Sequence, residues 1–208
     1  MAALTKAVLT CLLACALAVP LTGGPFTPRR AVAAAAATSA APAVPELTAP
    51  EPTATAGGTT AVDARENAIA KAIVRIINTE RGKHHAAPVK MNAELVAAAH
   101  THNLAMSKAN TMAHRLPGEP ALSKRVLAAG YDFQNVGENL GYNSNISLAG
   151  AKQLQQMMYA EGRPPAGQLN HYANIVNPKF QQVGVDIYFD RAHQRLWLTE
   201  ELARPFPK

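Results

Sequence analysis

The stretch VGVDIYFDRAHQRLWLT, residues 183–199, decides the fold class. Apolar residues alternate with small or polar ones from Val183 to Phe189, which is typical of a half-buried strand. A short turn at residues 190–193 leads to a second apolar run, from Arg195 to Thr199. Because strands joined by so short a turn pair antiparallel, the stretch predicts a β-hairpin.

Upstream of this hairpin, helical periodicity predicts four helices. Asp63 and Glu66 form a candidate capping box for a first helix that ends at Gly82. Asn92 and Ser147 are candidate N-caps of the second and fourth helices, and residues 123–129 form a short third helix. Helices gathered ahead of a C-terminal hairpin indicate an α+β fold rather than βαβ winding.

The N-terminus has the composition of an export signal. Lys6 precedes a short apolar run that ends in an A-x-A cleavage site, which predicts a signal peptide over residues 1–18. Both cysteines, Cys11 and Cys15, lie inside it, so the secreted chain is expected to form no disulfide. The residues up to Cys15 also resemble a lipobox, so a lipid anchor on Cys15 is the alternative to free secretion.

The rest of the chain divides by composition into a linker and one domain. Residues 19–60 are rich in Ala, Pro and Thr and poor in large apolar side chains, which predicts a disordered linker. Residues 61–208 have the size of a single domain, which we expect to be monomeric. The chain carries a formal net charge of +6, but its basic residues are scattered and no nucleic-acid-binding motif accompanies them. We therefore expect no nucleic acid among its partners.

Several short motifs follow one another along this domain. They are NTERGKHHAAP (78–88), HRLPGE (114–119), RVLAAGY (125–131), GENL (137–140), HYANIV (171–176) and VGV (183–185). In this order they resemble the sequence boxes of the CAP superfamily, the SCP-like domains of cysteine-rich secretory proteins, antigen 5 and pathogenesis-related proteins. The resemblance spans the whole domain. It implies a three-layer αβα sandwich with a central antiparallel sheet.

The resemblance also implies a cavity lined by four side chains, His114, Glu138, Glu161 and His171. Some family members bind zinc or another divalent cation through the two histidines, which here are His114 and His171. Others carry sterols or lipids elsewhere on the domain, and no common enzymatic activity defines the superfamily. The sequence departs from the family at Met158, where relatives often have Trp.

The chemistry of these residue types is consistent with a metal site but leaves alternatives open. Two neutral imidazoles supply half of a zinc shell, and the carboxylates of Glu138 and Glu161 could orient them. The same four side chains could instead be a satisfied polar network that locks the layers together. Alternatively, they could form a hydrolytic metal site in which a glutamate acts as base.

The sequence therefore predicts a secreted binding or interaction protein that acts on an extracellular or cell-surface ligand. No catalytic residue is assigned. The alternative is a secreted metal-dependent hydrolase of peptides or cell-wall material. Among the other histidines, His102 lies on an apolar helix face and is expected in the core, while His84 and His85 are expected in a turn.

Overall fold

The computed structural model describes residues 19–20 and 56–207, with side chains described from residue 63 onward. The predicted signal peptide, the lipobox and residues 21–55 of the predicted linker lie outside the described residues. Within the described part of the chain, no helix has the length and apolarity needed to cross a membrane.

The described chain contains five helices and five strands. In order they are β1 (Val19–Pro20), α1 (Ala56–Gly82), β2 (Lys90–Met91), α2 (Ala93–Ala109), α3 (Leu122–Ala128), β3 (Phe133–Asn143), α4 (Leu148–Ala160), α5 (His171–Val176), β4 (Gln182–Asp190) and β5 (Arg195–Pro205).

The strands form one sheet in the order β1-β3-β5-β4-β2. Its three long strands, β3, β5 and β4, are antiparallel, and the two-residue β2 runs parallel to β4. The hairpin predicted from residues 183–199 is confirmed as β4–β5, with Val185 opposite Glu200 and Ile187 opposite Leu198.

Helices cover both faces of this sheet. The larger core lies between the sheet and α1, α4 and α5, where Ile73, Ile77 and Leu198 are completely buried. On the opposite face, α2 and α3 pack over Phe133 and Trp197, which are also completely buried. The three-layer α+β sandwich with a central antiparallel sheet is therefore confirmed.

Two of the predicted helix starts are confirmed by their capping contacts. The Asn92 side-chain oxygen accepts a hydrogen bond from the Leu95 backbone nitrogen at 2.9 Å, at the start of α2. The Ser147 hydroxyl oxygen accepts from the backbone nitrogens of Ala149 and Gly150 at the start of α4. Each side chain satisfies a backbone donor that the first helical turn leaves without a partner.

The predicted capping box at Asp63 and Glu66 is wrong. The helix begins at Ala56, so both residues lie inside α1 and neither is at its N-terminus. The Glu66 carboxylate accepts a hydrogen bond from the Phe189 backbone nitrogen at 2.6 Å. Glu66 therefore ties α1 to the end of β4 instead of capping its own helix.

Arg81, at the end of α1, connects this helix to the end of α5 and to the segment that follows it. Its guanidinium is completely buried and donates only to backbone oxygens: those of Ala87 at 2.8 Å, Ile175 at 2.8 Å, Asn177 at 2.9 Å and Phe180 at 2.9 Å. Burial lowers the pKa of this guanidinium from its ordinary value. One side chain thus holds the C-terminal end of α5, whose first residue is His171.

Candidate functional site

His114 and Glu138 form the first of two histidine–glutamate pairs. His114 lies in the connection between α2 and α3, and Glu138 lies in the middle of β3. The His114 Nδ1 and Glu138 Oε1 atoms are 2.7 Å apart. Because an ionised carboxylate only accepts, Nδ1 carries the proton, and in the neutral ring the other nitrogen, Nε2, presents a lone pair. That Nε2 atom is buried and has no hydrogen-bond partner among the described residues.

Arg125 holds this pair from behind. One of its terminal nitrogens bonds to Glu138 Oε2, and the other donates to the His114 backbone oxygen at 3.0 Å. Burial by itself would raise the pKa of the Glu138 carboxyl. The hydrogen bond from His114 and the positive charge of Arg125 outweigh burial and lower that pKa below its ordinary value. Glu138 is therefore a buried carboxylate with its charge compensated.

Glu161 and His171 form the second pair. Glu161 follows the last residue of α4, and His171 is the first residue of α5. The two Glu161 carboxylate oxygens bond to His171 Nδ1 at 2.5 Å and to its backbone nitrogen at 3.0 Å. The His171 Nε2 atom is again buried without a partner among the described residues. Both imidazoles are thus held through Nδ1 and leave Nε2 for another ligand.

Glu161 lies at the start of the loop that leads to His171. Glu161 stands just past the end of the helix, and its side chain is 19% exposed. The N-cap Asn170 fixes the other side of the connection, because its side chain accepts from the Ala173 nitrogen at 2.9 Å and donates to the Gly162 oxygen at 3.0 Å. Asn170 therefore links the two ends of the loop between Glu161 and His171.

Strand β3 connects the two pairs. Asn139, next to Glu138, donates to the His171 backbone oxygen at 3.4 Å. Asn174 of α5 donates to the Glu138 backbone oxygen at 3.3 Å and to the Asn139 side-chain oxygen at 2.9 Å. The α5 helix, which carries His171, is thereby attached to the strand that carries Glu138. Among the described residues, no set of three or more His, Cys, Asp and Glu side chains is arranged to hold one metal ion.

His102 is a core residue, as predicted. Its ring is completely buried, and its two nitrogens lie 2.6 Å from Glu119 Oε1 and 3.0 Å from the Ala113 backbone oxygen. Both nitrogens are occupied by these acceptors, so neither is left for a ligand. His84 and His85 lie in the turn after α1, also as predicted.

Two completely buried carboxyl groups were missed by the sequence analysis. Burial raises the pKa of Glu200 to about 8, although the Asn139 amide donates to it at 2.9 Å. Burial and the negative charge of Glu138 raise the pKa of Glu201 well above its ordinary value. A hydrogen bond between the Glu201 and Glu138 side chains acts in the same direction. The available signal was the adjacent pair of glutamates in an otherwise apolar strand.

Comparisons with known proteins agree with this architecture. The model of the CAP family, described as the cysteine-rich secretory protein family, matches residues 74–201. No curated protein sequence matches the chain.

Two solved structures share the fold at low sequence identity. The first is an extracellular protein containing an SCP domain from Bacillus anthracis, with 24% identity and a TM-score of 0.55. The match covers 67% of this chain but only 41% of the Bacillus protein. The second is an outer surface protein from Borrelia burgdorferi, with 14% identity, a TM-score of 0.55, and coverage of 66% of this chain and 93% of that one.

Proposed function

The chain belongs to the CAP family of cysteine-rich secretory proteins, and from this premise we propose that it is an extracellular binding module. It binds a divalent metal ion, preferentially zinc, through His114 and His171. One observation carries the proposal. Both histidines use Nδ1 for a glutamate and keep a buried Nε2 without a partner among the described residues.

The residues fit a zinc ion by their chemistry. Neutral imidazole is a preferred zinc ligand, and a carboxylate on the remote ring nitrogen fixes the tautomer and makes the imidazole a stronger donor. Glu138 and Glu161 occupy that supporting role for His114 and His171. Bound zinc would supply positive charge and positions for water or a small anionic ligand. A buried nitrogen without a partner is otherwise unfavourable, by about 1–3 kcal/mol.

An extracellular location rests on two supports. The predicted signal peptide at residues 1–18 directs export, and the structurally similar proteins from Bacillus and Borrelia are described as extracellular and outer surface proteins. Free secretion and a lipid anchor on Cys15 differ only in whether the domain diffuses away from the cell.

The contacts of the two glutamates favour binding over hydrolysis. A hydrolytic site needs a carboxylate free to accept a proton from metal-bound water. Glu138 is engaged by both His114 and Arg125, and Glu161 uses both its oxygens on His171. Neither is free to act as that base without giving up the histidine it holds.

The metal content of the protein tests this proposal. The chain is purified without affinity tags or chelators and analysed by elemental mass spectrometry. We expect close to one zinc or other divalent ion per chain. Protein that is empty, and that stays empty after dialysis against zinc, would refute the metal-binding function.

A further inference from the structure

His102 is a completely buried histidine of α2, and the proposed metal site makes no direct use of it. Its Nε2 atom lies 3.0 Å from the Ala113 backbone oxygen, and its Nδ1 atom lies 2.6 Å from Glu119 Oε1. Because a backbone oxygen only accepts, Nε2 carries a proton and donates this hydrogen bond. One ring thus reaches two points of the connection between α2 and α3, which is the segment that carries His114.

Glu119 extends this contact to the other side of His114. Its second carboxylate oxygen, Oε2, accepts from the Leu116 backbone nitrogen at 3.0 Å, and the Glu119 backbone nitrogen donates to the Leu116 oxygen at 3.0 Å. Ala113 immediately precedes His114, and Leu116 follows it by two residues. His102 and Glu119 together therefore hold the backbone on both sides of the metal-binding histidine.

The two metal-binding histidines differ in how their backbones are held. His171 is the first residue of α5, and its backbone nitrogen donates to Glu161. His114 lies outside every helix and strand of the described chain. Buried side chains take over the role of a regular element there, and His102 with Glu119 supplies the contacts to the residues that flank His114.

The His102 ring also stands behind the glutamate that orients His114. Its Nε2 atom is 3.8 Å from Glu138 Oε2, a distance at which charges attract without a direct hydrogen bond. Burial by itself would raise the pKa of Glu138, and His102 adds to the hydrogen bond from His114 and the charge of Arg125 in lowering that pKa. His102 thus supports both the segment that carries His114 and the carboxylate that orients it.

We propose that His102 is a positioning residue of the metal site, and that together with Glu119 it fixes the Nε2 atom of His114 where an ion shared with His171 can bind. This inference rests on the proposed function, because it gives the same site a further determinant of its metal affinity. A ligand side chain that is already fixed loses less conformational freedom when the ion binds. Removing such supporting side chains typically weakens metal affinity by about 10–100-fold.

Substitutions at two adjacent, completely buried residues of α2 test the proposal. His102→Leu removes both contacts to the segment that carries His114, whereas Asn103→Leu removes hydrogen bonds to Asp186 and Thr199. Both variants should lose stability, and circular dichroism checks that they fold. The zinc dissociation constant, measured on the whole purified chain at neutral pH by competition with a chromophoric chelator, should rise about 10–100-fold in His102→Leu. It should stay close to the wild-type value in Asn103→Leu.

Glu119→Ala tests the same contact from the side of the loop, and it replaces His102→Leu if the buried leucine prevents folding. It removes the partner of His102 Nδ1 and the acceptor for the Leu116 backbone nitrogen. We expect zinc binding to weaken in this variant as well.

Amide hydrogen exchange in zinc-free protein reports on the segment without relying on a metal. Residues 110–121 should exchange faster in His102→Leu and Glu119→Ala than in the wild type, while residues 171–176 should exchange as they do in the wild type. In Asn103→Leu, residues 110–121 should keep their protection relative to residues 171–176.

Two results of the zinc measurement would overturn the proposal: wild-type affinity in His102→Leu or Glu119→Ala, or an equal loss of affinity in Asn103→Leu. If the wild type itself binds no zinc, the proposed metal-binding function fails. The positioning of His114 by His102 is then decided by hydrogen exchange. Faster exchange of residues 110–121 in the two variants supports it, and unchanged exchange overturns it.

Discussion

Glu138 and Glu201 are directly opposite each other in the β3–β5 ladder, and both side chains are completely buried. Arg125 lies between the two carboxyl groups, bonded to Glu138 and 3.9 Å from Glu201. One guanidinium can compensate one carboxylate. Glu138 therefore keeps its negative charge and orients His114, while Glu201 holds its proton.

Removing the Arg125 guanidinium should lower the stability of the folded protein. Arg125→Met leaves the Glu138 charge buried without its main cation, and we expect a loss of about 3–5 kcal/mol in the free energy of unfolding, measured by urea denaturation. Adding Glu138→Gln to the same chain should recover part of that loss, because the uncompensated charge is then gone. Strictly additive effects in this double-mutant cycle would show that the two side chains do not interact.

A second prediction concerns the pH dependence of stability and rests on Glu200. Its pKa rises from 4.5 to about 8 on folding, so the folded protein holds a proton that the unfolded chain releases at lower pH. The free energy of unfolding should therefore fall as the pH rises from about 4.5 to about 8. Glu200→Gln keeps an acceptor for the Asn139 amide but cannot ionise.

At pH 8, we expect Glu200→Gln to be more stable than the wild type by on the order of 1–4 kcal/mol. The slope of stability against pH should also be shallower in this variant, although Glu201 contributes a slope of the same sign. Wild-type and variant curves that run parallel from acid to pH 8 would mean that Glu200 does not titrate with folding.

Arg81 gives a third prediction. Arg81→Met removes four hydrogen bonds to backbone oxygens and leaves those oxygens buried, so we expect the free energy of unfolding to fall by at least about 3 kcal/mol. Arg75→Met, an exposed arginine on the same helix, is the control and should change stability by less than about 0.5 kcal/mol. Equal effects of the two substitutions in thermal or urea unfolding would contradict the role of Arg81.

The elements that follow a simple period were predictable from the sequence, and the irregular ones were not. The N-cap residues Asn92 and Ser147 predicted the starts of helices α2 and α4. The alternation of apolar and polar residues predicted the β4–β5 hairpin. Strand β3 carries no such signal, because its inner face includes Gly137. A Cβ atom there would lie 2.7 Å from Asn174 Oδ1, so the close approach of α5 replaces side-chain packing.

The candidate site was likewise predictable only in part. Family resemblance identified its four side chains, and the structure adds their pairing, His114 with Glu138 and His171 with Glu161. The pairing itself could not be predicted from sequence, because His114 and Glu138 are 24 residues apart and only the fold brings them together.

The central claim is that His114 and His171 bind one divalent ion through Nε2, and thermal unfolding in the presence of zinc tests it most directly. An ion that binds only the folded state stabilises it by mass action, so the wild-type melting temperature should rise with zinc concentration. The double variant His114→Ala, His171→Ala should show no such rise, whereas the control His193→Ala, which removes a partly exposed histidine, should respond as the wild type does. A wild-type melting temperature that is unchanged by zinc, copper and magnesium, or a zinc response that the double variant retains, would contradict the account.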